Sequence, residues 1–248
     1  MIVAIINQKC GFGKISIAVN LSAAMAVLGR RSLLVDLDEQ ASLCVSLGLP
    51  STGPTVSDLL TGRKSAAEAM IRQKDFDLIL SSANLSDTVD QLADQPDWEL
   101  ILRKALDPSA NNYAFVYLDC PPGLGLLTIN ALTAASRVYI PIQPEFSSLA
   151  ELKNLLDAIA DIKKRLNSKL EIAGIMITRE DHQEQTNSDI NDLLRLGFDG
   201  IVFKNRVREN VSIDEFLTTG QDGITFKPNS EGAADYLALA DEILMREG

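Results

Sequence analysis

No apolar run in this chain approaches the ~20 residues that a bilayer-spanning helix needs. No charged segment followed by a long apolar one precedes the strand-like residues 2–6, so no signal peptide is expected and the chain is expected to be cytoplasmic. Cysteine is sparse: Cys10, Cys44 and Cys120 form neither a C-x-x-C pair nor a zinc spacing. They read as small buried thiols, except that Cys10 falls within a glycine-bearing loop. The only histidine, His182, sits in a polar run over 179–184 without a catalytic partner, and Trp98 reads as a packing anchor at a helix start. Internal repeats, low-complexity segments and linkers are all missing, which leaves one domain over 1–248 as the expectation. Positive charge is short as well. Against 34 acidic residues stand 23 Lys and Arg, for a net charge of −11, a balance that opposes casual binding to polyanions.

What is present is 46% apolar residue content over 248 residues, ample for a sizeable core. Bare apolar runs at 2–6, 32–36, 78–80, 114–119, 138–141, 172–178 and 201–203 predict strands buried on both faces. Helical patterns fill 16–28, 64–73, 86–93, 98–106, 126–135, 148–166, 185–196, 213–218 and 230–246, with Gly29 and Gly197 placed to end two of them. Such alternation predicts an α/β fold, a doubly wound and mostly parallel sheet, with ligands beyond the carboxyl ends of its strands.

Residues 7–20 carry the most chemistry. An apolar strand feeds the turn Asn7-Gln8-Lys9-Cys10-Gly11-Phe12-Gly13-Lys14, which opens into an amphipathic stretch. Strand, exposed backbone amides and the positive end of a helix together make a phosphate cradle. Carboxylates close two other strands. Asp36 and Asp38 end the second, where alternation lets both flank one site, and Asp119 ends the fourth. A carboxylate after a buried strand, at the same sheet edge as a phosphate loop, is where an NTPase holds its magnesium shell.

These pieces resemble the ParA/Soj/MinD group of deviant Walker ATPases, and ParA-type partition proteins most. The loop resembles N-Q-K-G-G-V-G-K and continues in Ala18-Val19-Asn20-Leu21. Val35-Asp36-Leu37-Asp38-Glu39-Gln40 resembles V-D-x-D-P-Q, and Asp119-Cys120-Pro121-Pro122 resembles D-x-P-P. Pro141 to Glu145, Asn210-Val211 with Glu215, and Pro228-Asn229-Ser230 follow in family order. The resemblance implies a P-loop NTPase that binds ATP or ADP with Mg2+. Lys14 would neutralise the β- and γ-phosphates, and Lys9 would reach the partner subunit's nucleotide in an ATP-sandwich homodimer. Gly11, Phe12 and Gly13 would offer amides, Ile15 would occupy the metal-ligand position, and Ser16 would bond the α-phosphate. Asp38 would position the attacking water and, with Asp119, face the magnesium, Asp119 holding it through water, and Arg208 and Asn210 would contact adenine. A ParB-type or cargo-adaptor protein and non-specific DNA are the implied partners.

The chain departs from the family pattern at two points. Ile15 stands where a Ser or Thr hydroxyl normally ligates magnesium, and it carries no oxygen. Ser16 lies one residue on, about 100° around the helix, so it does not simply substitute. Cys10 replaces a glycine near the expected dimer seam, while Glu39 in place of proline is a minor change. Both larger departures point to slower hydrolysis, weaker dimerisation, or both. Basic residues Lys163, Lys164, Arg165 and Lys169 suit either DNA phosphates or a helix C-terminus. Lys204, Arg206 and Arg208 form a second group, but Glu209 and Ser212 occupy family arginine positions. The tail after Ala240 is too acidic for an anionic bilayer. Two readings follow: an ATPase that segregates or positions DNA or another large cargo, and a nucleotide-dependent binding module with little turnover because of Ile15. A cluster-bearing reductase needs paired cysteines that the chain lacks.

Overall fold

The computed structural model describes residues 1–8, 14–49, 52–180, 185–198, 200–208 and 221–247, except the side chains of 146, 179, 180 and 185–189. Seven parallel strands form one sheet: β1 (Ile2–Ile5), β2 (Ser32–Asp36), β3 (Asp77–Ile79), β4 (Phe115–Asp119), β5 (Arg137–Ile142), β6 (Glu171–Glu180) and β7 (Val207–Arg208). Their spatial order is β3-β2-β4-β1-β5-β6-β7, so the direction of winding reverses at β1. In a doubly wound sheet the crevice at that reversal is the ligand position.

Strand alternation sends Ala4, Val35, Leu118 and Ile140 into one apolar cluster and Val3, Leu34, Tyr117 and Tyr139 into the other. Helices α3 (Val56–Leu60), α4 (Ala66–Ala69), α5 (Leu85–Ala93), α6 (Ile101–Ala110), α7 (Leu126–Ala134), α8 (Phe146–Arg165) and α9 (Gln185–Gly197) cover the first face. The second face carries α1 (Lys14–Val27), α2 (Ser42–Ser46), α10 (Gly223–Phe226) and α11 (Glu231–Glu247). Both faces being covered explains why the strands read as continuous apolar runs. Cys44 and Cys120 are buried free thiols, and burial pushes the Cys120 thiol far up. Among the described residues no helix is long and apolar enough to cross a membrane.

Three expectations need correction. The stretch 16–28 is not amphipathic: α1 lies between the sheet and α11, and Ser16 through Met25 are all buried. The helix expected over 64–73 is only α4. It starts on a reciprocal cap between Ser65 and Glu68, then gives way where Ile71 pairs antiparallel with Leu78. That pairing covers the edge of β3, a stronger demand on the backbone than another helical turn. The strand expected at 201–203 is reduced to one bridge between Val202 and Ile175, and the edge strand falls at β7 instead. Ile201 and Phe203 still exchange backbone hydrogen bonds with Ile175 of β6, and side chains of α11 brace the segment from the other side. Arg246 donates to the carbonyls of Gly200, Ile201 and Val202, while Glu242 accepts from the amides of Lys204 and Asn205. The expected helix at 213–218 and the residue His182 lie outside the described residues.

Gly174 on β6 shows how tightly this edge is built. A Cβ there would fall 1.8 Å from Cε2 of Phe203, whose ring meets Tyr139 edge-on and lies under the Arg246 guanidinium. Gly174→Ala should cost about 1–3 kcal/mol of stability through overpacking. Urea denaturation measures this, and an unchanged midpoint would mean that the ring is free to move.

Candidate functional site at the strand ends

The site begins where β1 stops. Asn7 is buried, and its amide Nδ2 donates to the Pro141 carbonyl at 2.6 Å, tying the exit of β1 to the end of β5. Lys14 opens α1 with only 7% of its surface exposed. A cation at a helix N-terminus opposes the helix dipole. Its burial there therefore needs anions close by.

Parallel register supplies them. Asp36 on β2 and Asp119 on β4 are direct partners, and Asp119 also pairs in register with Ile5 of β1. Both belong to the face that carries α1, because Leu34 and Tyr117, two residues earlier on each strand, pack in that cluster. Asp36 Oδ1 accepts from the Asp38 amide at 2.9 Å, while Asp36 Oδ2 and Asp119 Oδ1 are buried without a hydrogen-bond partner. Burial holds both carboxyls above the usual carboxylate range. For Asp119 the charge of Asp36 adds to the rise, and Lys14 acts against it. For Asp36 the Asp38 amide acts against the rise. The amides of Ser81 and Leu43 pull the same way from outside hydrogen-bonding geometry.

The remaining expected residues divide clearly. Asp38 lies beyond the end of β2, half-buried, and its Oδ1 accepts from the Gln40 amide at 3.0 Å. Ser16 is buried in the first turn of α1, and Ile15 packs its side chain against the apolar cluster on that face. Arg208 ends β7 with its guanidinium on α11, paired with both oxygens of Asp235 at 2.9 Å and with Glu231 at 3.0 Å. Lys9, Cys10, Gly11, Phe12, Gly13 and Asn210 lie outside the described residues. Lys14, Asp36 and Asp119 are thus brought together, with Asp38 near enough to act on Asp119 electrostatically.

A divalent cation fits this arrangement. Two buried carboxylate oxygens lack hydrogen-bond partners beside Lys14. Among the described residues no group of three or more His, Cys, Asp or Glu forms a chelate, so a metal here would complete its shell with water and phosphate, as magnesium does.

Sequence reasoning gave Asn20 no role. It is fully buried inside α1, donating from Nδ2 to the Ser16 carbonyl at 2.8 Å and accepting the Gly223 amide on Oδ1 at 2.7 Å. The signal was an asparagine, a poor helix former, within an otherwise apolar helical run.

Residues 1–172 match the family described as AAA domain. The chain is 36% identical to the chromosome-partitioning ATPase Soj of Treponema pallidum, over 98% of this chain and 96% of that one. It is 34% identical to the chromosome partitioning protein ParA of Caulobacter vibrioides, over 99% and 94%. The chain belongs to the ParA/Soj/MinD family of ATPases. Among solved structures, cobyrinic acid a,c-diamide synthase from Mycobacterium smegmatis with bound ADP and magnesium superposes at a TM-score of 0.86. It is 28% identical, with 99% of this chain and 94% of that one covered. The cell division ATPase MinD of Pyrococcus furiosus shares the fold, with a TM-score of 0.82 over 98% of each chain at 23% identity. Lys14 and the strand-end aspartates lie together at the carboxyl edge of the sheet.

Asn20→Ala should leave the Gly223 amide without its acceptor and cost about 1–3 kcal/mol in chemical denaturation. Stability unchanged within about 0.5 kcal/mol, the scatter expected of neutral surface changes, would show that another group or water satisfies that amide.

Proposed function

We propose that the chain is a ParA-like ATPase, one P-loop domain over 1–248, that binds ATP or ADP with Mg2+ and acts in segregating or positioning DNA or another large cargo. The carrying observation is the buried Lys14 at the head of α1, beside Asp36 and Asp119 in register on neighbouring strands. Lys14 meets the β- and γ-phosphates, and the amides at the start of α1 receive phosphate oxygens. Asp119 would hold magnesium through water, and Asp38, looser and nearer solvent, positions the attacking water. Bound magnesium supplies charge neutralisation to the phosphates. The relatives named for chromosome partitioning support the cargo, and the structural neighbour with ADP and magnesium supports the ligands.

In this reading ATP joins two copies as a sandwich homodimer in the cytoplasm, with Lys9 reaching the partner's nucleotide. A ParB-type or adaptor protein stimulates turnover. Non-specific DNA contact would fall to exposed residues such as Lys163, Lys164 and Arg165 at the end of α8, against a net charge of −11.

A second reading has its own observation. Ile15 spends its side chain in apolar packing and offers no oxygen where the family places a metal ligand. A chain so altered would bind nucleotide and change its partner surface with little hydrolysis. Ile15→Thr separates the two readings. The variant should lose about 1 kcal/mol of packing and raise magnesium-dependent phosphate release by about tenfold or more. Measurable release from the wild-type chain supports the enzyme. Nucleotide binding without release, gained on substitution, supports the switch, and absence of nucleotide binding contradicts both.

A further inference from the structure

A cavity of about 200 Å3 lies apart from the strand-end cluster, beside the edge strand β3. Leu47 and Leu49 at the exit of α2, with Phe76 and Leu78 at the start of β3, give it an apolar floor. Its polar side comes from Asp222 and Thr225 of the α10 segment and from the turn over 73–75. Lys14, Asp36, Asp38 and Asp119 take no part in it.

Asp222 decides what the cavity can hold. The residue is only 7% exposed, and its Oδ1 caps α10 by accepting the Thr225 amide at 2.7 Å. Its Oδ2 makes no hydrogen bond or ion pair among the described residues. A nearly buried carboxylate oxygen without a donor is costly, so this one calls for a donor from outside the chain. Asp77 of β3 shows the contrast, since Arg31 and Tyr113 both donate to it. Asp75 also lines the cavity, within electrostatic reach of Arg31, but its carboxylate bonds to no described residue. Lys74 is the one cation among the described lining residues, so two negative charges stand against one positive.

We propose that this cavity binds a small organic monocation, a primary amine carried on an apolar body about the size of one aromatic ring. The ammonium donates to Asp222 Oδ2 and cancels the excess negative charge, and hydrogen bonds between charged partners are the strong ones. The body lies on the leucines and Phe76. At about 30 Å3 per water the cavity holds roughly seven waters, and a ring with a short chain fills that space. An apolar lining with a few placed polar groups is the usual make-up of a small-molecule site. A folded protein partner would need an interface on the order of 1,000 Å2, which a pit of this size does not offer. The inference stands independently of the nucleotide reading, because the two sites share no residue.

The test is calorimetric titration of the whole chain with phenethylamine at neutral pH, beside phenylpropionate, which keeps the body and reverses the charge. Phenethylamine should bind once per chain with Kd below about 1 mM, within reach of a ligand of about nine non-hydrogen atoms. Phenylpropionate should bind at least about tenfold more weakly. Asp222→Asn keeps a capping side chain and should weaken the amine by about tenfold. Asp75→Asn, nearer solvent, should weaken it by about two- to fivefold. Asp161→Asn, on the exposed face of α8, should leave it unchanged. Circular dichroism confirms that the variants fold, and the comparison of the two ligands on the wild-type chain needs no variant. Three results each overturn the site: no saturable amine binding up to about 10 mM, equal binding of the two ligands, or a folded Asp222→Asn chain that binds the amine as tightly as wild type.

Discussion

The chain's chemistry depends on one electrostatic arrangement, a lysine buried at the positive end of a helix and held there by aspartates on the strands beneath it. Lys14 sits where a cation is disfavoured, and Asp36 and Asp119 sit where anions are. Neither half is stable alone, and together they leave carboxylate oxygens without hydrogen-bond partners. Such strain is expected where a protein prepares a site for a charged ligand, since binding then completes the charge balance. A fold built only for stability would have filled these positions with apolar side chains.

The sheet makes that arrangement unavoidable once the sequence is threaded. Parallel register aligns the ends of β2, β4 and β1 to within a residue, so aspartates at the last positions of two strands become neighbours without a loop to place them. Burial of α1 on nearly every side fixes Lys14 in turn. Asn20 ties the middle of that helix to Gly223 of α10, while Asn7 ties its approach to β5. Buried hydrogen bonds therefore brace the end of β1 and the middle of α1.

Much of this was readable from residues. Bare apolar runs identified the main strands because both faces of the sheet are covered, and Gly29, at a φ of 72°, closes α1 as its position implied. The short helices α2, α3 and α10 were not read, although Thr55 and Asp58 form a cap whose spacing was visible. The shortening of the strand at 201–203 to one bridge had no local signal, because the side chains that brace this segment, Arg246 and Glu242, lie some 40 residues on. Within the site, the carboxylates were found by their strand-end positions. What pairs Asp36 with Asp119, leaving Asp38 half-exposed, is the register between β2 and β4, which spacing along the chain does not encode. Arg208 was placed near adenine by resemblance, and its guanidinium pairs with Asp235 and Glu231 of α11.

Ile15 ties stability to function, because its side chain contributes to the core under α1 at the position where a hydroxyl would serve the metal. A structure of the chain crystallised with a non-hydrolysable ATP analogue and manganese tests the central claim most directly. The account places the phosphates against the start of α1 within reach of Lys14, with the manganese anomalous peak between them and the Asp36–Asp119 pair. A manganese peak elsewhere, or phosphates bound away from Lys14, would contradict it.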